Sequence, residues 1–303
     1  MCGFAAALAA AEALARHHDG TLRFPVDGRR FATAPGEHGA NFLGFHEREL
    51  SDEPPSGERR VVVLGDSMTW GTGSADQAWP RALEAALGPE IRTINLSHYG
   101  YDAEQSLATL RTFGWRFRPA AVLFATYAND LVPSELITVG EPPLFAWVGD
   151  AGTLPTLLRE RSSLARLAEG AFRARGFTEV EDPERYRAAL LAMRDEAALH
   201  SVPLVVVGLA AHVLAEPDLS RCDARAGAPG RCAEALERTA REAEIVASVG
   251  LPYVDGLAVL RAGPERAWFN AGSTDWEHPS PAGHAWLGAA LAEPVREVAR
   301  LAP

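Results

Sequence analysis

VVVLGDSMTWGTG, residues 61–73, is an aliphatic run with no polar alternation that ends in Gly65 and then places Asp66 and Ser67 before a Trp and two glycines. A short apolar run without period-two alternation is the pattern of a strand covered on both faces, as in a parallel sheet. Working outward, "WPRALEAALGP" (79–89) reads as a helix with Pro80 near its start, Leu83 and Leu87 on one face, and Gly88-Pro89 as the stop. "EIRTINLS" (90–97) reads as a second strand. "DAEQSLATLRTF" (102–113) opens with Asp102 as N-cap and Gln105 three residues on, with Leu107 and Leu110 sharing a face. "PAAVLFATY" (119–127), "VPLVVVGLA" (202–210) and "LPYVD" (251–255) complete five strands. Helices are expected from about Pro183, with Tyr186, Leu190, Met193 and Ala197 on one face, from Cys232 to Val249, and after Ser280 with Pro281 at the first position. Strands alternating with helices argue for a mainly parallel sheet with helices on both faces.

Composition bounds the rest. The chain has 303 residues, 47% hydrophobic and 23% charged, which is enough to build a large core without metal staples. Its net charge of −11 opposes a phosphate backbone, so nucleic acid is not an expected partner. All 29 basic residues are Arg, which reads as a coding bias and not as phosphate recognition. The opening "MCGFAAALAAAEALARHH" has an apolar run, Phe4 to Ala15, interrupted by Glu12. It falls short of the roughly 20 apolar residues that span a bilayer and lacks the basic start of a signal peptide. An Ala-rich helix docked on the domain is expected, and membrane contact through this end stays open as the alternative. Residues 21–60 are rich in Gly, Pro and charge, and "SDEPPSGERR" reads as a linker. The expected organisation is an N-terminal helix and extension over 1–59, then a domain over 60–303 with an insertion at about 131–180. Cys222 and Cys232 flank a turn-rich stretch and either form a disulfide, which would favour an exported protein, or remain two reduced thiols.

In an open parallel sheet, ligands bind beyond the carboxyl ends of the strands near the point where strand order reverses. Ser67, Gly100, Asn129 and the loop before the last helix all fall at such ends. In that loop, "STDWEHPSPAGH" (273–284) sets Asp275 three residues before His278, a spacing that can bring a carboxylate onto Nδ1 and leave Nε2 free. A serine hydroxyl needs a neighbouring imidazole to take its proton, and Ser67 is the natural recipient of that help. No His, Cys or carboxylate cluster has zinc-ligand spacing, and neither a metal nor a cofactor is expected.

"GDSMTWG", "NLSHYG", "AND" and "DWEHPS", in this order, resemble the four blocks of the SGNH, or GDSL-type, hydrolases across residues 60–300. The resemblance implies a three-layer α/β/α sandwich of flavodoxin-like type with a five-stranded sheet. It implies Ser67 as nucleophile, His278 as base and Asp275 as its partner, with an oxyanion hole from the Ser67 and Gly100 backbone N–H groups and the Asn129 side-chain amide. It also implies a serine esterase acting on a small-molecule or carbohydrate acyl ester. An O-acyltransferase using the same triad, and a binding module with a relict site, are the alternatives. Two departures accompany it: Tyr127 stands where the third block usually has Gly, and "NFLGFHERE" (41–49) has His46 where some members have Arg. Asp66 is read as a structural acid; Asp255 as a cap or turn residue, with the rival part of orienting His278 as its alternative; and His17, His18, His38, His46 and His200 as solvated. His98 and His212 are the histidines nearest to where substrate would lie, and His284 is read as packed or solvated. Phe145 and Trp147 are read as buried aromatics under a loop or as an acyl-site lining, and the Arg159–Arg175 segment as a solvated helix.

Overall fold

A computed structural model describes residues 2–18, 22–23, 29, 32–132, 181–264 and 275–301. Five strands, β1 (Arg59–Gly65), β2 (Ile91–Asn95), β3 (Ala121–Thr126), β4 (Leu204–Gly208) and β5 (Tyr253–Asp255), form one sheet in the order β2-β1-β3-β4-β5. Every neighbouring pair is parallel, and Val63 of β1 stands in register with Asn95 on one side and Leu123 on the other.

The uninterrupted apolar run of β1 has a simple cause. Side chains alternate across a strand, and here both faces are covered. Val61 and Val63 join a cluster with Trp79, Leu83, Leu287 and Leu291, while Val62 and Leu64 join a second with Leu107, Leu110, Leu190 and Met193. The helices supplying the first cluster are α3 (Trp79–Leu87) and α9 (Pro281–Val298); those supplying the second are α4 (Ala103–Thr112) and α5 (Pro183–Leu199). The helix α7 (Arg231–Ser248) gives Cys232 and Ala235 to the first cluster and Ile245 and Val246 to the second. Each Val, Leu, Ile or Met side chain removed from water contributes roughly 1.5–3 kcal/mol before conformational entropy is charged.

Local signals place the ends of these helices. Asp102 accepts the Gln105 N–H at 3.0 Å and Gln105 Oε1 accepts the Asp102 N–H at 2.9 Å, so α4 starts on the expected reciprocal cap. Ser280 caps α9 by accepting the Gly283 N–H at 3.1 Å. Three further helices are short: α2 (Ser67–Trp70), α6 (Leu219–Ala226) and α8 (Gly256–Arg261). Asp255 caps α8 through the Ala258 N–H at 2.9 Å, as read from its position. Gly65 closes β1 where a Cβ would lie 2.8 Å from the Ala125 carbonyl oxygen, so only glycine lets the strand end come this close to β3.

The chain ahead of β1 departs from its reading at His46. In the α1 helix (Cys2–His18), Leu8 is 52% and Leu14 72% exposed. Among the described residues no helix is long and apolar enough to cross a membrane. His46 is not solvated: it is buried, stacks on Trp70 at 4.9 Å, and its Nδ1 donates to the Trp70 carbonyl at 2.8 Å. The "SDEPPSGERR" stretch folds over the buried Arg60, whose guanidinium donates to the carbonyls of Ser51, Asp52 and Glu53 and to Glu58. The expected insertion, with Phe145, Trp147 and the Arg159–Arg175 segment, lies outside the described residues beyond Val132.

Candidate active site

The strand order sends the chain from β1 outward to β2 and then back across β1 to β3. The reversal point lies between β1 and β3, and the loops leaving those two strands diverge there to form a crevice. Asp66 follows β1 and caps the one-turn helix α2, its Oδ1 accepting the Met68 N–H at 2.9 Å. That turn lifts Ser67 to the rim of the crevice.

Ser67 Oγ lies 2.8 Å from His278 Nε2, and His278 Nδ1 lies 2.8 Å from Asp275 Oδ2, joining residues 211 positions apart. A carboxylate only accepts, so Nδ1 carries the imidazole proton and Nε2 is left to accept the Ser67 hydroxyl proton. The loop is built around the carboxylate: Asp275 Oδ1 also takes the backbone N–H of Glu277 and of His278, each at 3.0 Å. Burial would raise the Asp275 carboxyl, but those two N–H groups and the facing imidazole outweigh it and hold the group below the ordinary carboxylate range. Thr72 Oγ1 donates to the Pro279 carbonyl at 3.1 Å and ties the Ser67 turn to the His278 loop.

Gly100 lies in the loop after β2, which is tied to the end of β1 by the His98 N–H donating to the Gly65 carbonyl at 3.1 Å, and Asn129 follows β3. Gly100 adopts φ +74°, a left-handed turn suited to glycine. Among the described residues neither the Ser67 nor the Gly100 backbone N–H donates to a protein acceptor. Asn129 rides on the turn Ala128–Leu131 after β3, beside Asp66. Burial pushes Asp66 up to about 6 against the opposing Met68 N–H, the Asn129 amide and His278, while among the described residues Asp66 Oδ2 and Asn129 Oδ1 meet no hydrogen-bond partner. Tyr127, at the family's usual glycine, has extended backbone angles (φ −139°, ψ 156°) that need no glycine, and its ring is buried. Together with Asn129, Arg231, Arg238, Trp276 and Glu277 it lines a cavity of about 280 Å³ beside the crevice. Arg231 is held there by the Ala226 carbonyl at 2.5 Å and lies 5.1 Å from the Trp276 ring centre.

The remaining histidines sort by contact. His212 does not face the crevice as a free ring: its Nδ1 donates to the His278 carbonyl at 2.7 Å and its backbone N–H to the Glu277 carbonyl at 2.9 Å, clamping the loop from behind. His98 is sealed against Thr33 at 2.8 Å and the Tyr99 carbonyl at 2.9 Å, and burial lowers it to about 4. Burial, with the His278 charge second, also lowers the packed His284 to about 4. No group of three or more His, Cys, Asp or Glu among the described residues is placed to hold a metal ion. Cys222 and Cys232 are joined in a disulfide. One feature has no counterpart in the sequence reading: Thr126, Asp130, Tyr186 and Glu242 form a buried polar knot beneath the Asn129 turn. The only sequence signal for it is a glutamate on the stripe of Ala235, Thr239, Ile245 and Val246, the buried face of α7.

The model of the GDSL-like Lipase/Acylhydrolase family matches residues 63–286. Among solved structures, the chain is similar to a lipase/acylhydrolase from Enterococcus faecalis, with 18% identity, a TM-score of 0.47, and coverage of 79% of this chain and 96% of the other. It is similar to a GDSL-like lipase from Bacteroides thetaiotaomicron, with 15% identity, a TM-score of 0.46 and coverage of 82% and 92%. It is also similar to a carbohydrate acetylesterase family member from Sinorhizobium meliloti, with 15% identity, a TM-score of 0.45 and coverage of 80% and 99%. No match is found among curated proteins.

Proposed function

From the premise that the chain belongs to the GDSL-like lipase/acylhydrolase family, we propose that it is a serine esterase working through an acyl-enzyme on Ser67. The observation that carries this reading is the continuous hydrogen-bonded line from Ser67 Oγ through His278 to Asp275, 2.8 Å at each link. Ser67 Oγ attacks the ester carbonyl carbon as His278 Nε2 takes its proton, and the carbonyl electron pair moves to oxygen. Collapse expels the alcohol, which receives that proton, and leaves an ester on Ser67. Water then repeats the sequence and releases the acid. Asp275 holds Nδ1–H in place and stabilises the imidazolium formed at each step.

The developing oxyanion is assigned to the Ser67 and Gly100 N–H groups, which have no acceptor among the described residues, and to the Asn129 amide. The substrate is a carboxylic ester of a small alcohol or a carbohydrate. The catalytic unit in this reading spans residues 60–303, with residues 32–58 laid against it through His46 on Trp70 and through Glu47, whose Oε2 accepts the Asn95 N–H at 2.8 Å.

Ser67→Ala tests the proposal. Turnover of a short-chain aryl ester and labelling by a fluorophosphonate probe should both vanish while the far-UV circular dichroism is unchanged. Undiminished turnover by this variant would refute the assignment.

A further inference from the structure

The Thr126 hydroxyl at the end of β3 is buried among three partners: Asp130 Oδ2 at 3.0 Å, Tyr186 OH at 2.9 Å and Glu242 Oε1 at 2.9 Å. A threonine hydroxyl has one proton to give and two lone pairs to accept with. Two of the three neighbours must therefore donate to it. The Tyr186 phenol supplies one proton, and the second has to come from a carboxylic acid. Asp130 Oδ2 also accepts the Tyr127 backbone N–H at 2.9 Å, which suits a carboxylate. Glu242 is fully buried and, among the described residues, is hydrogen-bonded only to Thr126, with Oε2 meeting no partner. An ionised carboxylate in that position would hold one hydrogen bond and no ion pair, a costly state in a dry interior.

We infer that Glu242 is a neutral, proton-donating positioning residue for the oxyanion turn: through Thr126 and Asp130 it fixes the backbone at Tyr127 and so the placement of Asn129. The functional half of this inference rests on the esterase reading above; the protonation half does not. Asp130 is the link, since its carboxylate holds the Thr126 hydroxyl and the Tyr127 N–H, and its own N–H donates to the Tyr127 carbonyl at 2.7 Å. Losing the Glu242 proton turns a donor into an acceptor next to a second carboxylate, and the Thr126 hydroxyl can no longer satisfy both.

The groups facing Glu242 are Asp66 beyond β1, Tyr127 and Asp130 beyond β3, Glu181 ahead of α5, Tyr186 on α5 and Tyr253 on β5; the Asp66 and Glu181 charges favour its neutral form, while the three phenols carry no charge. Burial also raises the Asp130 carboxyl well above its ordinary value, and the Tyr127 N–H on the same oxygen that meets Thr126 is what marks Asp130 as the acceptor of the pair. Arg238 on the same helix is already shared between Glu181 and Glu234, each at 3.0 Å. Burial pushes Glu242 up to about 8 against the opposing Thr126 hydrogen bond, with the Asp66 and Glu181 charges adding to the rise.

Aryl acetate hydrolysis by wild type, E242Q and E242A across about pH 6 to 10 tests the functional half. Wild-type kcat should fall through an alkaline limb near the value at which Glu242 ionises. E242A should lose roughly tenfold or more in kcat, with KM little changed, because the oxyanion donor is displaced and not removed. E242Q keeps an N–H donor toward Thr126 at every pH, so it should restore kcat to within about threefold of wild type and lose the alkaline limb. An E242Q profile that keeps the wild-type limb, or an E242A enzyme with wild-type kcat, overturns the inference. If E242A fails to fold, the E242Q profile decides alone. The protonation half is read without turnover: in the infrared, the C=O stretch of buried carboxylic acids at neutral pH should lose one component between wild type and E242Q. Identical carboxylic-acid bands in the two proteins would sink the assignment, whereas activity surviving Ser67→Ala would sink the esterase reading and leave this difference band as the deciding measurement.

Discussion

At Ser67 the chemistry depends on what stands next to it in space more than in sequence. Asp66, its chain neighbour, is sealed at 1% exposure and spent on capping α2, so it is a structural acid as its turn position suggests. The imidazole that can take the Ser67 proton comes from the far end of the chain. Asn129 is the finer assignment, because Tyr127 replaces the family's usual glycine two positions before it. The ring is accommodated because β3 runs straight into Tyr127 with extended angles, leaving the Ala128–Leu131 turn to present the amide. If that amide supplies one oxyanion donor, Asn129→Ala should lower kcat by about 10² to 10³. Steady-state kinetics on the aryl ester check this, and an effect confined to KM would remove Asn129 from the role.

Among the elements, the turn between α6 and α7 is the one whose order depends on a covalent link. The segment of Ala226 to Gly230 is closed by the Cys222–Cys232 bond at a separation of 10 residues and by Asp223, which accepts the Gly230 and Cys232 N–H groups at 2.6 and 2.9 Å. It also seats Arg231 against Trp276 in the wall of the cavity. On the loop-entropy account a closure of this length is worth roughly 2–3 kcal/mol. The C222S/C232S double variant should therefore melt roughly 5–10 °C lower, given the usual conversion for a domain of this size. Calorimetry with and without reductant checks it: wild type should fall toward the variant when reduced, and the variant should not respond. A wild-type melting point indifferent to reductant would show that the bond carries little of the fold.

For the molecule as a whole, the buried acids set a pH dependence of stability. Glu242 has a folded value of about 8 against an ordinary 4.5, so the native state holds a proton that the unfolded chain releases. The sign follows: the stability associated with that proton is fully present below about 4.5 and is lost as pH rises through about 8. Replacing the acid by an amide removes this dependence. The melting-point advantage of E242Q over wild type should therefore grow between about pH 5 and pH 8.5, and a pH-independent difference would contradict it. The linkage exists because the sheet is covered on both faces, which buries Glu242 on the inner side of α7 against Thr126.

What could be read before any coordinates were known is local in origin. The strands declared themselves because residues such as Val61 to Leu64, covered on both faces, cannot alternate, and the helix starts because Asp102 and Ser280 cap through groups three residues away. The family blocks named Ser67, Gly100, Asn129, Asp275 and His278, and the Asp275–His278 contact needs only a three-residue turn. Packing decided the rest. His46 became a stacked core residue, His212 a backbone clamp and Glu242 the buried partner of Thr126, because each answers to a partner 24, 66 or 116 positions away. No local pattern encodes whether a polar side chain will be closed off from water; that follows only once distant segments share one interior, where an unpaired polar group is costly.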